Sequence, residues 1–141
     1  MAWTITGSID EIYGVCHVMG SEMVIVKLDC VSDASGTDTD LSTLLTDMEW
    51  QSVMGGWLYG IQTVPGTGGD QPTAAFNLDI QDGQDFSWVD EDSVSHTAVD
   101  WISAADEADG QYPLVQKDTA FVCSTLGNEN TAVFYLWVLR G

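Results

Sequence analysis

Residues 54–66, Met-Gly-Gly-Trp-Leu-Tyr-Gly-Ile-Gln-Thr-Val-Pro-Gly, and residues 74–86, Ala-Ala-Phe-Asn-Leu-Asp-Ile-Gln-Asp-Gly-Gln-Asp-Phe, decide the fold class of this chain. From Trp57 to Val64 apolar and polar positions roughly alternate, the pattern of a strand with one buried face. Val64-Pro65-Gly66 ends that strand, because proline has no N–H to give to a ladder. After a polar Gly/Pro spacer the alternation resumes, with Phe76, Leu78 and Ile80 on one face and Asn77, Asp79 and Gln81 on the other. Asp82-Gly83 is a strong turn pair. These are β building blocks, and they carry no catalytic signature.

Working outward, Thr119–Leu126 and Thr131–Arg140 read as strands joined by a hairpin turn at Gly127-Asn-Glu-Asn130. Residues 133–139 are apolar on both faces, which predicts an internal or interface strand. Toward the N-terminus, Ala2–Thr6 reads as a short strand closed by Gly7-Ser8, and Glu11–Met19 as a second. Glu22–Val31, again apolar on both faces, reads as a central strand or one covered by a partner. Leu41, Leu44, Leu45 and Met48 have helical spacing, predicting one short helix over Asp40–Met48, with a strand pair as the competing reading. Phe86–Asp109 is acidic and irregular, with a helical turn expected around Val99, Trp101 and Ile102. A further strand is expected over Tyr112–Val115. Seven or eight short strands with regular turns predict an all-β, single-domain β-sandwich or jelly-roll-like barrel over residues 1–141, with one or two short helical turns.

The charge is the unusual number. Twenty-two acids stand against Lys27, Lys117 and Arg140, a formal net charge of −19 in 141 residues. A 45% hydrophobic content and a mean hydropathy of +0.03 still predict a packed core rather than disorder. Such a surface repels nucleic acid and anionic lipid, so neither is an expected partner. It suits solvation, docking onto a basic partner, or life in high salt. No apolar run approaches a membrane span, and the first residues lack the basic start and apolar run of a signal peptide. Cys16, Cys30 and Cys123 have no metal-binding spacing and sit among apolar neighbours, as buried free thiols do.

Catalytic readings find little support. His17 and His96 are the only histidines, and neither Ser95 nor Ser124 sits in a Gly-x-Ser-x-Gly elbow. Gly66-Thr-Gly-Gly-Asp70 lacks the Lys-Ser/Thr of a phosphate loop. With so many acids, carboxylate pairs arise by chance, so no enzyme activity and no cofactor are expected. Calcium is the one metal with a weak candidate, Asp79, Asp82 and Asp85 around a turn, though their spacing is not that of an EF-hand. Six Trp residues are many for this length, and aromatic residues anchor interfaces. Trp57, Tyr59, Trp88, Trp101, Phe134 and Trp137 are the interface candidates, although the tryptophans show no obvious common face in the sequence.

The run carried by Gly55, Gly56, Leu58, Thr63, Pro65, Gly66, Pro72, Thr73, Phe76, Leu78, Ile80, Asp82 and Asp85 resembles a family of small virion structural proteins of tailed bacteriophages. The C-terminal pair, Leu114 to Leu126 and Thr131 to Leu139, is similar too, so the likeness spans about two thirds of the chain. It implies a non-enzymatic virion protein of a tailed phage, made in the host cytoplasm, and the acid-rich, Lys-poor composition extends the expectation to a tailed archaeal virus. Small size and an all-β reading make a capsid decoration (cement) protein the leading expectation, with the major capsid protein or other virion subunits as partners and a homotrimer or homodimer as its state. A tail, collar or head-fibre component is the alternative. A glycan- or receptor-binding β-sandwich module is a further one.

Overall fold

The computed structural model describes residues 3–14, 21–82, 87–105 and 110–140. Nine strands among them form two antiparallel sheets packed as a sandwich. The strands are β1 (Thr4–Gly14), β2 (Glu22–Val31), β3 (Thr37–Asp40), β4 (Trp57–Pro65), β5 (Phe76–Gln81), β6 (Ser87–Val94), β7 (Asp100–Ser103), β8 (Ala120–Ser124) and β9 (Thr131–Arg140). The larger sheet runs β1-β2-β9-β4-β7 and the smaller β3-β8-β5-β6.

The pairs β2·β9, β3·β8, β4·β7 and β5·β6 nest within one another along the chain, alternating between the sheets. That is one long hairpin wound about the core, and β4·β9 and β5·β8 knit its turns into sheets. The connectivity is a jelly roll, with β1 added at one edge. Alternation explains its interior. Val24, Val26 and Leu28, Phe134, Leu136 and Val138, and Leu58 and Ile61 face inward from the larger sheet onto Phe76, Leu78, Ile80 and Phe121 of the smaller. Phe134 is wholly buried, with its ring 5.0 Å from Phe121 and 6.0 Å from Phe76 in edge-to-face contacts.

Several local expectations change. Gly7 does not end a strand: β1 runs through it, and a Cβ there would strike the Leu44 carbonyl, so glycine admits the helical segment close to β1. The part of the second expected strand beyond Gly14 lies outside the described residues. The single helix is two, α1 (Leu41–Leu44) and α2 (Asp47–Gln51), because Leu45 and Thr46 are extended. Asp40 precedes α1 without a side-chain cap, whereas Thr46 caps α2. Its Oγ1 accepts from the Glu49 N–H while the Glu49 carboxylate accepts from the Thr46 N–H, a complete capping box. The same carboxylate accepts from the Ile9 N–H and pins α2 to β1. Hydrogen bonds to that carboxylate from the Thr46 N–H, then the Ile9 N–H, then the Thr46 side chain hold the Glu49 carboxyl below its ordinary value.

The expected helical turn near Trp101 is strand β7, and of the strand expected at Tyr112–Val115 only a bridge from Leu114 to Trp57 forms. The segment 127–130 is no hairpin, since β8 and β9 lie in different sheets. The crossing is tied down by Ser32, whose hydroxyl donates to the Gly127 carbonyl, and by the Asn130 amide, which donates to the Leu126 carbonyl.

Candidate functional site

The two outer faces of the sandwich differ in chemistry. On the smaller sheet, Asp38, Val122, Asp79 and Asp90 stand in one row across β3, β8, β5 and β6. Asp79 and Asp90 stand directly opposite each other. Partial burial raises the Asp79 carboxyl above its usual range. Asp90 adds to this by hydrogen bonding to the protonated form and repelling the charged one. This face is a solvated acidic surface.

The larger sheet presents rings. Opposite the buried positions of β9 point Val133, Tyr135, Trp137 and Leu139, and β2 contributes Met23 and Ile25 in register with them. In β4 a bulge at Tyr59 inserts one residue between Leu58 and Gly60, turning Gly60 outward opposite Trp137. Gly60 has to be glycine, because a Cβ would overlap the Trp101 ring that lies across it. Trp101 meets Trp137 edge-on at 5.7 Å and leans on Tyr59 at 5.9 Å. Tyr59 stacks on Tyr112 at 5.1 Å. The segment carrying Tyr112 is held beside β4 by the Leu58 N–H to Pro113 carbonyl and Val115 N–H to Gly56 carbonyl bonds.

Trp57, Tyr59, Trp101 and Tyr112 remain 49%, 41%, 45% and 36% exposed. A depression of about 460 Å³ opens between Trp57, Gln111, Tyr112 and Leu139. A second groove, of about 380 Å³, lies on the same face, running from β1 over Ile25 of β2 and past β9 to Gln62 and Val64 of β4.

The sequence candidates therefore separate. Trp57, Tyr59, Trp101 and Trp137 share this face, contrary to the expectation of no common face. Phe134 is not an interface residue, since period-two alternation along β9 sends it into the core. Trp88, the extra residue of a bulge in β6, is 38% exposed on the other sheet. Tyr112, Tyr135 and Tyr13 were not singled out from the sequence. Of these only Tyr135, two residues from Trp137, had a readable signal.

No group of three or more His, Cys, Asp or Glu is placed to hold a metal among the described residues. Asp85 of the calcium trio lies outside them, as do His17 and Cys16. The Ser95 hydroxyl accepts from the Thr97 and Ala98 N–H groups and so holds a turn. Cys30 and Cys123 are buried free thiols. Burial, then the neighbouring Asp29, pushes Cys30 up to about 12, and burial likewise raises Cys123. Compared with family models, curated proteins and solved structures, the chain matches none of them.

Proposed function

We infer that this chain is a non-enzymatic assembly protein that docks onto another protein through the ring-covered outer face of its larger sheet. The setting we propose is the particle of a tailed phage or tailed archaeal virus, with capsid decoration first and a tail, collar or head-fibre position second. One observation carries the docking reading: four exposed rings on the outer face of the larger sheet, Trp57, Tyr59, Trp101 and Tyr112, are contiguous, while the opposite face is acidic. An aromatic side chain spans roughly 150–250 Å², so four rings near half exposure leave about 400 Å² open. That is about half of the roughly 800 Å² per partner that a stable interface takes, and it is the size of the largest patch on a typical monomer, roughly 300–600 Å², which is often functional. The virion setting rests on the resemblance of residues 55–85 to virion proteins.

The test is addition of purified protein to virion heads assembled without it. The unaltered protein should bind, and a Tyr59→Ser, Trp101→Ala double variant with unchanged secondary structure should not. Equal binding by both would remove the face from the interface. A major capsid gene beside this one would support decoration, and a tail-tube or baseplate neighbour would move the protein to the tail.

A glycan-binding module is the second reading, favoured by the common face that the rings share, since such platforms stack on sugar rings. Jelly rolls serve both virus capsids and lectins, so connectivity does not choose. Binding of neutral oligosaccharides by the wild type, lost in the same double variant, would favour it.

A further inference from the structure

We propose that the groove running from β1 over β2 and past β9 seats a basic side chain, Lys or Arg, of an extended partner polypeptide; this rests on the docking reading and names the chemistry that the face accepts. The groove is built by a bulge. Up to Ile9, the residues of β1 that face outward are Thr4, Thr6 and Ser8. The extra residue Asp10 then flips the phase, so that Glu11 stands opposite Ile25 and Tyr13 opposite Met23, both on the outer face. Without the bulge Ile12 would face outward there, and Glu11 and Tyr13 inward.

The result is a cleft with rings from Tyr13, Tyr135 and Trp137 and carboxylates from Asp10 and Glu11 along one side. Rings and carboxylates together are what a guanidinium or ammonium group meets best: its charge pairs with the acids and its face or stem lies on the aromatic surface. Neither Asp10 nor Glu11 has an ion-pair partner among the described residues. Lys27, the base on the same face, pairs with Asp29 at 3.6 Å and leaves those acids unneutralised.

Trp137 contributes ring surface to the groove wall, while its indole N–H is buried and has no acceptor among the described residues. Charge argues against a second copy lying face to face, which would set −19 against −19. The occupant therefore brings bases, which this chain largely lacks.

The experiment uses the full chain at 150 mM NaCl. The probes are an acetylated ten-residue peptide alternating Arg and Thr, its citrulline counterpart of equal shape and no charge, and cellohexaose. Titration calorimetry and tryptophan emission should show the Arg peptide binding at least tenfold more tightly than the citrulline peptide. An Asp10→Asn, Glu11→Gln double variant should lose at least fivefold in affinity. An Asp90→Asn, Asp92→Asn double variant, which removes the same charge from the other sheet, should lose less than twofold.

Equal losses in the two variants would reduce the effect to diffuse charge and overturn the proposal. So would citrulline peptide or cellohexaose binding as tightly as the Arg peptide, or no binding of the Arg peptide at all. Self-association abolished both by Lys117→Gln and by the Asp10, Glu11 changes would give the groove to a second copy, overturning it as well. The peptide comparison is made on the unaltered protein, so it stands whatever the variants do. Peptide binding without docking onto virion heads would keep the groove and remove the virion setting. Docking without peptide binding would do the reverse.

Discussion

Replacing Asp79 by Asn should stabilise this protein. Asp79 and Asp90 face each other across β5 and β6, and like charges directly opposite in a sheet cost about 0.2–1 kcal/mol. Asn keeps the shape and an oxygen for the Gln81 amide that now donates to Asp79. With an unfolding entropy of roughly 2.1 cal/mol/K per residue, this chain gains about 1 °C in Tm for each ~0.3 kcal/mol, so the variant should melt about 1–3 °C higher at pH 7 and low salt.

The sign with pH follows from the raised carboxyl. Asp79 is harder to ionise folded than unfolded, so its penalty is full above its folded pKa. It fades as pH falls through that raised value toward the ordinary 3.8. The advantage of the variant should fade over the same window. It should also shrink between about 10 mM and about 1 M NaCl, as the screening length falls from roughly 30 Å to roughly 3 Å. Calorimetric melts over pH and salt measure all three trends. A variant that melts at or below the wild type at pH 7 in dilute buffer would refute the cross-strand repulsion.

Phe134→Ala should cost about 3–5 kcal/mol of stability, read by denaturant titration, because it empties a fully buried site between Phe76 and Phe121. Thr63→Val should gain about 1 kcal/mol by the same assay, since the Thr63 hydroxyl is buried in the core face of β4 without a partner among the described residues and valine has its shape. Mass-spectrometric mapping after thiol labelling at pH 8 should find Cys30 and Cys123 unmodified in the native protein and both modified in denaturant. Glu49 works against Asp79 in acid: its lowered carboxyl favours the fold above the ordinary 4.5, and that support is lost as pH falls through its folded value. Glu49→Gln should therefore flatten the acid limb of the stability profile.

How much of this was legible depended on the range of the cause. β4 and β5 are readable because their alternation is local and each has one dry face, and the sandwich follows from such segments. Gly7 misled because its reason, the approach of Leu44, lies 37 residues away. β7 is only four residues long, too short for its period to separate from a helical turn around the same apolar residues. The ring-covered face was hidden because its rings come from β4, β7, β9 and the segment before β8, and the bulge at Tyr59 resets the parity of β4. Phe134 was misassigned because β9 is apolar at every position from Val133 to Leu139, so composition could not tell its wet side from its dry one.

The wound hairpin also sets when this protein can acquire its shape. β9 lies between β2 and β4 in the larger sheet, and its partners in β2 are 100 residues away (Val31 with Thr131) to 118 residues away (Glu22 with Arg140). During synthesis β2 has no neighbour on that side until β9 has cleared the ribosome, and long-range pairings of this kind form slowly. At roughly 5–20 residues per second, the apolar strand Glu22–Val31 waits on the order of 5–20 seconds with one edge open. Through that interval the net charge of −19 opposes association between copies of the chain whose last strand has not yet closed the sheet.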